Sequence, residues 1–85
     1  MKAGIVARAD KPQAAALTRS LVEALGARGV EVLLETRTAE AVGARGVDEQ
    51  ELGAACDLLV VLGGDGTILR TLHRMRGEVP PIFGI

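Results

Sequence analysis

The sequence Leu58-Leu59-Val60-Val61-Leu62-Gly63-Gly64-Asp65-Gly66-Thr67-Ile68-Leu69-Arg70 decides the fold of this chain. It opens with an unbroken apolar run, and such a run bounded by turn residues predicts a strand buried on both faces of a parallel sheet. The glycines that follow let the backbone turn tightly and approach a ligand without an intervening Cβ atom. A helical pattern begins at once, and the N–H groups of a first helical turn favour anions. Because open α/β sheets bind ligands at the carboxyl ends of their strands, the stretch predicts a ligand site.

The rest of the chain alternates between strand and helix patterns. Strands are predicted at 2–8, at 31–35, at 58–62 and from 82 onwards. Helices are predicted at 13–28 with Pro12 in the first turn, from Asp48 to Cys56, and at 66–76, and Asp10, Gly29 and Gly77 are predicted to delimit them. The stretch 36–47 lacks a strong period and predicts a loop with a helical turn at 39–42. This order predicts one α/β domain at 1–85, a Rossmann-like open parallel sheet with helices on both faces.

Helical spacing predicts which residues of each helix are buried. In the first helix they are Ala14, Leu17, Leu21, Val22 and Leu25. In the short acidic helix they are Leu52, Ala55 and Cys56. In the last helix they are Ile68, Leu69, Leu72 and Met75, with Arg70, His73 and Arg74 on the opposite side.

Composition narrows the class of protein. The 85 residues carry a net charge of −1, which does not provide the basic surface that nucleic-acid binding requires. No apolar run is long enough to span a bilayer, so we expect no membrane partner. The single cysteine, Cys56, allows no internal disulfide and no cysteine-based metal site, and we expect a reduced, cytoplasmic setting. Since the chain stops in the opening of a strand, we expect a truncated domain.

The glycine-rich turn matches neither of two common phosphate-binding patterns. It lacks the spacing and position of the dinucleotide fingerprint, and no Gly-Lys-Ser/Thr follows as in a Walker A loop. Asp65 and Thr67 can cap the next helix, but a cap alone does not need three glycines, which favour a ligand site. There Asp65 can deprotonate a hydroxyl group or help to hold Mg²⁺ near phosphate oxygens, as phosphoryl transfer requires. Arg70, one turn further on, either reaches a phosphate or belongs to a solvated face.

At Gly63-Gly64-Asp65-Gly66-Thr67 the sequence resembles the superfamily of NAD kinases, diacylglycerol and sphingosine kinases and, more distantly, phosphofructokinases. The flanking stretches at 57–62, 68–70 and 81–85 resemble the NAD kinases in particular. The opening strand and long helix fit as well, so the resemblance covers essentially the whole chain.

The resemblance implies the N-terminal domain of the NAD kinase/diacylglycerol kinase-like fold. It implies ATP-dependent phosphorylation of the 2′-hydroxyl of the adenosine ribose of NAD, giving NADP, with Mg²⁺. Asp65 is then the catalytic proton acceptor, and the nucleotide-binding residues are Gly63, Gly64, Asp65, Gly66, Thr67 and Arg70, with no metal ligand assigned in this chain. The family's C-terminal β-rich domain, which completes the NAD site and a homo-oligomer interface, is absent here. We therefore expect the 85-residue chain alone to be inactive.

Three alternatives stay open at this point. One is a lipid kinase of the diacylglycerol type from the same superfamily. Another is a non-catalytic nucleotide-binding domain. The third is a truncated product with no independent role. Within the NAD kinase interpretation, either ATP or polyphosphate can be the phosphoryl donor.

Overall fold

The computed structural model describes residues 1–8, 11–75 and 79–85, apart from the side chain of Asp65. Its elements are β1 (Lys2–Ala7), α1 (Pro12–Ala27), β2 (Glu31–Leu34), α2 (Thr36–Ala41), α3 (Glu49–Ala55), β3 (Leu58–Leu62), α4 (Asp65–Met75) and β4 (Ile82–Gly84). The predicted strands and long helices are confirmed, and Gly29 follows α1 with a φ of 78°, as glycine does past a helix end. The predicted cap at Asp10 and the predicted helix end at Arg76 and Gly77 lie outside the described residues.

The four strands form one sheet in the order β2-β1-β3-β4, and every pairing is parallel. The chain leaves β1 for β2 on one side and then returns to place β3 on the other side of β1. This reversal opens a crevice at the carboxyl ends of β1 and β3, where sheets of this class bind ligands. The predicted Rossmann-like open parallel sheet is therefore confirmed.

Helices cover both faces of this sheet, as predicted. On one face, α1 and α2 pack over Ile5, Ala7, Val60 and Leu62. On the other face, α3 and α4 pack over Val6, Leu59 and Val61. Cys56 lies in the second core, which confirms it as a small core residue, and burial raises the pKa of its thiol. No helix of the described residues combines the length and apolar character needed to cross a membrane.

The stretch predicted as a loop at 36–47 begins instead with helix α2. The helix starts at Thr36 rather than at the predicted turn around Ala39 because the Glu35 carboxylate accepts hydrogen bonds from the backbone N–H groups of Arg37 and Thr38. Ser, Thr, Asp and Asn are the usual N-cap residues, so a glutamate at this position gives no helix signal in the sequence.

The predicted buried faces are wrong at several positions. Three leucines are exposed, namely Leu17 at 40%, Leu69 at 65% and Leu72 at 38%. Threonines are buried instead, namely Thr18, Thr67 and Thr71. Ala55 of α3 is likewise exposed, whereas Gly53 is buried.

The physical reason lies in how the threonine hydroxyl groups are satisfied. Thr18 Oγ1 donates to the Ala14 carbonyl at 2.7 Å, and Thr71 Oγ1 donates to the Thr67 carbonyl at 2.8 Å. A hydroxyl that bonds one turn back within its own helix can be buried without leaving an unpaired polar group. The buried stripe of α4 therefore follows Thr67, Thr71 and Met75.

Candidate functional site

The glycine loop comprises Gly63 to Gly66. Backbone hydrogen bonds to residues at the ends of the neighbouring strands fix the start of this loop. The Leu62 carbonyl accepts from the backbone N–H of Arg8 at 3.1 Å. The backbone N–H of Gly63 donates to the Ile85 carbonyl at 3.1 Å. The loop thus begins at a fixed position on the carboxyl edge, between the ends of β1 and β4.

Helix α4 starts inside this loop. The Gly64 carbonyl accepts from the backbone N–H groups of Thr67 at 3.0 Å and Ile68 at 3.3 Å. The N-cap position therefore falls on Gly64, and Asp65 is the first residue of the helix. The Asp65 side chain lies outside the described part of the chain. The first N–H groups of the helix have no carbonyl partner within it, and they lie at the carboxyl edge of the sheet.

The glycines of the loop differ in what surrounds them. A Cβ atom at Gly63 would lie 2.5 Å from Thr67 Oγ1 and 3.1 Å from Arg8 Cγ, so internal packing requires glycine there. A Cβ atom at Gly64 or Gly66 would meet nothing within 4 Å. Neither of these two glycines has a positive φ angle. The fold does not require glycine at these two positions, and the space beside their backbone is available to a ligand.

The first cleft, of about 370 Å³, opens between α1 and the glycine loop. Leu17, Leu62 and Ile85 form apolar parts of its wall, and Gly63 and Gly64 line its inner end. Leu17 is exposed because it borders this cleft. The charged residues among its described lining are the cations Arg8 and Lys11. The cleft therefore suits an anionic ligand that also has an apolar part.

The second cleft, of about 340 Å³, shares Arg8 with the first cleft. The charged residues that line it within the described part of the chain are Arg8, Arg37, Arg70, Arg74, Glu35 and Glu49. Arg74 Nη1 donates to Glu49 Oε1 at 3.3 Å. Burial and then the neighbouring Glu35 raise the pKa of Glu49, although Arg74 and Arg70 oppose the rise.

The site residues predicted from the sequence occupy different places. Gly63 and Gly64 line the first cleft, and Gly66 is exposed at the start of α4. Thr67 is buried against Gly63, whereas Arg70 lines the second cleft. His73 is exposed, as predicted. Among the described residues, no group of three or more His, Cys, Asp or Glu side chains is placed to hold a metal ion.

Sequence reasoning missed three cations of the clefts, Arg8, Lys11 and Arg37. A signal for two of them was present. Arg8 directly follows β1, and Arg37 follows the end of β2 by three positions. Both therefore lie at the carboxyl edge, where a parallel sheet brings strand ends together.

The fold and the site together define a class of protein. It is the doubly wound α/β domain with its ligand crevice beside the end of β3. Within that class the chain belongs to the NAD kinase family, because the ATP-NAD kinase N-terminal domain matches residues 3–85.

Individual relatives agree with the family. The chain is 42% identical to an NAD kinase of Methanoculleus marisnigri, over 100% of this chain and 30% of the relative. It is 38% identical to an NAD kinase of Thermococcus kodakarensis, over 100% of this chain and 31% of the relative. It is 33% identical to an NAD kinase of Saccharophagus degradans, over 96% of this chain and 29% of the relative. The chain thus spans about 30% of the length of the curated relatives it matches.

Proposed function

We propose that the protein carrying this chain is an NAD kinase, which transfers the terminal phosphoryl group of ATP to the 2′-hydroxyl of the adenosine ribose of NAD. The observation that carries the proposal is the open space beside Gly64 and Gly66, at the sheet edge where this class binds ligands. Membership of the NAD kinase family gives that space its substrate class.

In this reaction Asp65 accepts the proton of the 2′-hydroxyl group. The hydroxyl oxygen forms a bond to the terminal phosphorus of ATP as the bond from that phosphorus to the bridging oxygen breaks. NADP and ADP are the products. Phosphoryl transfer depends mainly on positioning and charge stabilisation, so the carboxylate of Asp65, the first residue of α4, is sufficient as the proton acceptor.

The other predicted site residues bind and position the nucleotides. The backbones of Gly63, Gly64 and Gly66 approach the ligand closely, and the first N–H groups of α4 favour its phosphates. Thr67 supports the loop from beneath through its contact with Gly63. Arg70 contacts a phosphate group.

A Mg²⁺ ion fits this site when phosphate oxygens supply most of its ligands. The described residues offer no cage of three carboxylate, histidine or cysteine side chains, and Mg²⁺ commonly binds through one or two carboxylates plus substrate phosphates. No metal ligand is assigned to this chain, because the role of Asp65 in this proposal is to accept the proton. When bound, the ion neutralises charge on the phosphates.

The chain is, in this proposal, the N-terminal α/β domain of a longer cytoplasmic protein, and a C-terminal β-rich domain completes the NAD site and a homo-oligomer. The length of the relatives supports this arrangement. The isolated 85-residue chain is then inactive.

The test is to incubate the full-length protein with NAD, ATP and Mg²⁺ and to measure NADP with an NADP-specific dehydrogenase. We expect NADP to accumulate in step with ADP. Phosphorylation of diacylglycerol without NADP formation would identify a lipid kinase instead. Binding of NAD without any turnover would identify a non-catalytic domain.

A further inference from the structure

We propose that the second cleft binds the phosphate chain of the phosphoryl donor, a run of linked phosphates contributed by ATP or by inorganic polyphosphate, through Arg37 and Arg70. This inference rests on the proposed function. It assigns the phosphates of the donor to the second cleft, which shares Arg8 with the first cleft.

The charges of the cleft carry the proposal. Apart from Arg8, the described lining of the cleft carries three guanidinium groups against two carboxylates, and both carboxylates already have partners. Glu35 accepts from two backbone N–H groups of α2, and Glu49 accepts from Arg74. Within the described ranges, Arg37 and Arg70 form no ion pair. Positive charge is therefore left over, and it favours an anion in this cleft.

The arrangement of the two arginines favours an extended anion over a single phosphate. Arg37 belongs to α2, which packs on one face of the sheet, whereas Arg70 belongs to α4 on the other face. The guanidinium group presents a planar fork of donors that matches phosphate oxygens. A chain of phosphates lying along the cleft can contact both guanidinium groups at once.

The cleft also lies close to the proposed reaction centre. Arg70 is in the helix that begins at Asp65, five residues earlier, which corresponds to about 7.5 Å along the helix axis. Arg8 lines both clefts, so the two clefts are neighbours near the end of β1. A phosphate chain held by Arg70 can thus direct its terminal phosphate towards the start of α4.

The first test measures binding in the absence of NAD. Isothermal titration calorimetry of the full-length protein is done with tripolyphosphate, with ATP and with adenosine. We expect tripolyphosphate and ATP to bind and Arg37→Gln to weaken both by about tenfold, a typical effect of losing one charge-assisted contact. The matched control is Arg19→Gln, the same exchange at an exposed position of α1, and it should leave both affinities unchanged. Unchanged affinity in Arg37→Gln, or adenosine binding as tightly as tripolyphosphate, would overturn the proposal.

The second test separates the two substrates kinetically. In Arg37→Gln and in Arg70→Gln we expect the KM for the donor to rise about tenfold, with the KM for NAD unchanged in Arg37→Gln. A rise in the KM for NAD alone would contradict the assignment. Separate assays with ATP and with polyphosphate show which of the two compounds supplies the phosphate chain.

The two proposals fail separately. If no NADP forms, but Arg37→Gln still weakens tripolyphosphate binding, the cleft is a polyphosphate site and only the proposed function is refuted. If the Arg37→Gln variant forms NADP at the normal rate and with the normal KM for the donor, only the proposed donor site is refuted.

Discussion

A Cβ atom at Gly63 would lie 2.5 Å from the hydroxyl oxygen of Thr67, one helical turn further along the chain. Thr67 is 6% exposed and β-branched, so its side chain has little freedom to move away. The end of β3 and the first turn of α4 therefore touch directly. Gly64 and Gly66 make no such contact. Within this loop, Gly63 is therefore required for packing, whereas Gly64 and Gly66 leave space for a ligand.

Replacing Gly63 by alanine is expected to destabilise the fold. The added methyl group collides with Thr67 and with the Arg8 stem, and overpacking of this kind costs roughly 1–3 kcal/mol in the free energy of unfolding. Urea unfolding followed by circular dichroism measures the loss. A Gly63→Ala protein as stable as the wild type would contradict a close contact between Gly63 and Thr67.

Replacing Gly66 by alanine is expected to leave stability intact and to lower activity. The site is an open helical position, where alanine is favoured over glycine by up to about 1 kcal/mol. The same methyl group occupies space proposed for the nucleotide, so NADP formation should fall at least about tenfold. Normal turnover in a stable Gly66→Ala protein would contradict a ligand at this backbone.

The hydroxyl of Thr38 is expected to fix the end of β1. Thr38 Oγ1 accepts from the backbone N–H of Ala7 at 2.9 Å, and the residue is 1% exposed. Thr38→Val leaves that buried N–H unpaired and should lower the free energy of unfolding by about 1–3 kcal/mol. Thr38→Ser keeps the hydroxyl and is the control, with a smaller loss expected. Equal losses in the two variants would assign the effect to packing alone.

Glu49 is expected to make stability depend on pH. Its pKa is raised above the ordinary value of 4.5, chiefly by burial, so the folded protein holds this proton more tightly than the unfolded chain. Stability should therefore fall as the pH rises from 4.5 to the raised pKa, and the cost of the buried charge persists above it.

Glu49→Gln removes that dependence. The stability of this variant relative to the wild type should increase as the pH rises through the same window, measured by urea unfolding at a series of pH values. Glu51→Gln, the same exchange at an exposed position of α3, is the control. A difference between Glu49→Gln and wild type that stays constant with pH would rule out this role for Glu49.

Much of the fold follows from local patterns in the sequence. Apolar runs such as Leu58 to Leu62 predict the strands, and Gly29 predicts the end of α1. Several of the errors have one cause, which is that polarity alone does not predict whether a side chain is buried or whether it starts a helix. Thr18 and Thr71 are buried because their hydroxyl groups bond within the helix, and Glu35 starts α2 because its carboxylate accepts backbone N–H groups.

The site was predictable only in part, for a different reason. The glycine loop is contiguous in the sequence, so its position at the end of β3 can be anticipated. The second cleft brings together Arg8 from the end of β1, Arg37 from α2 and Arg70 from α4. Their proximity depends on β1 lying between β2 and β3, and local patterns do not specify that order.

The most direct test of the central claim is Asp65→Asn in the full-length protein, with NADP formation and NAD binding measured on the same preparation. The account predicts that kcat collapses by several orders of magnitude, while NAD affinity and the urea midpoint stay close to those of the wild type, because the exchange removes a proton acceptor and little volume. An Asp65→Asn protein that forms NADP at the wild-type rate would contradict the account.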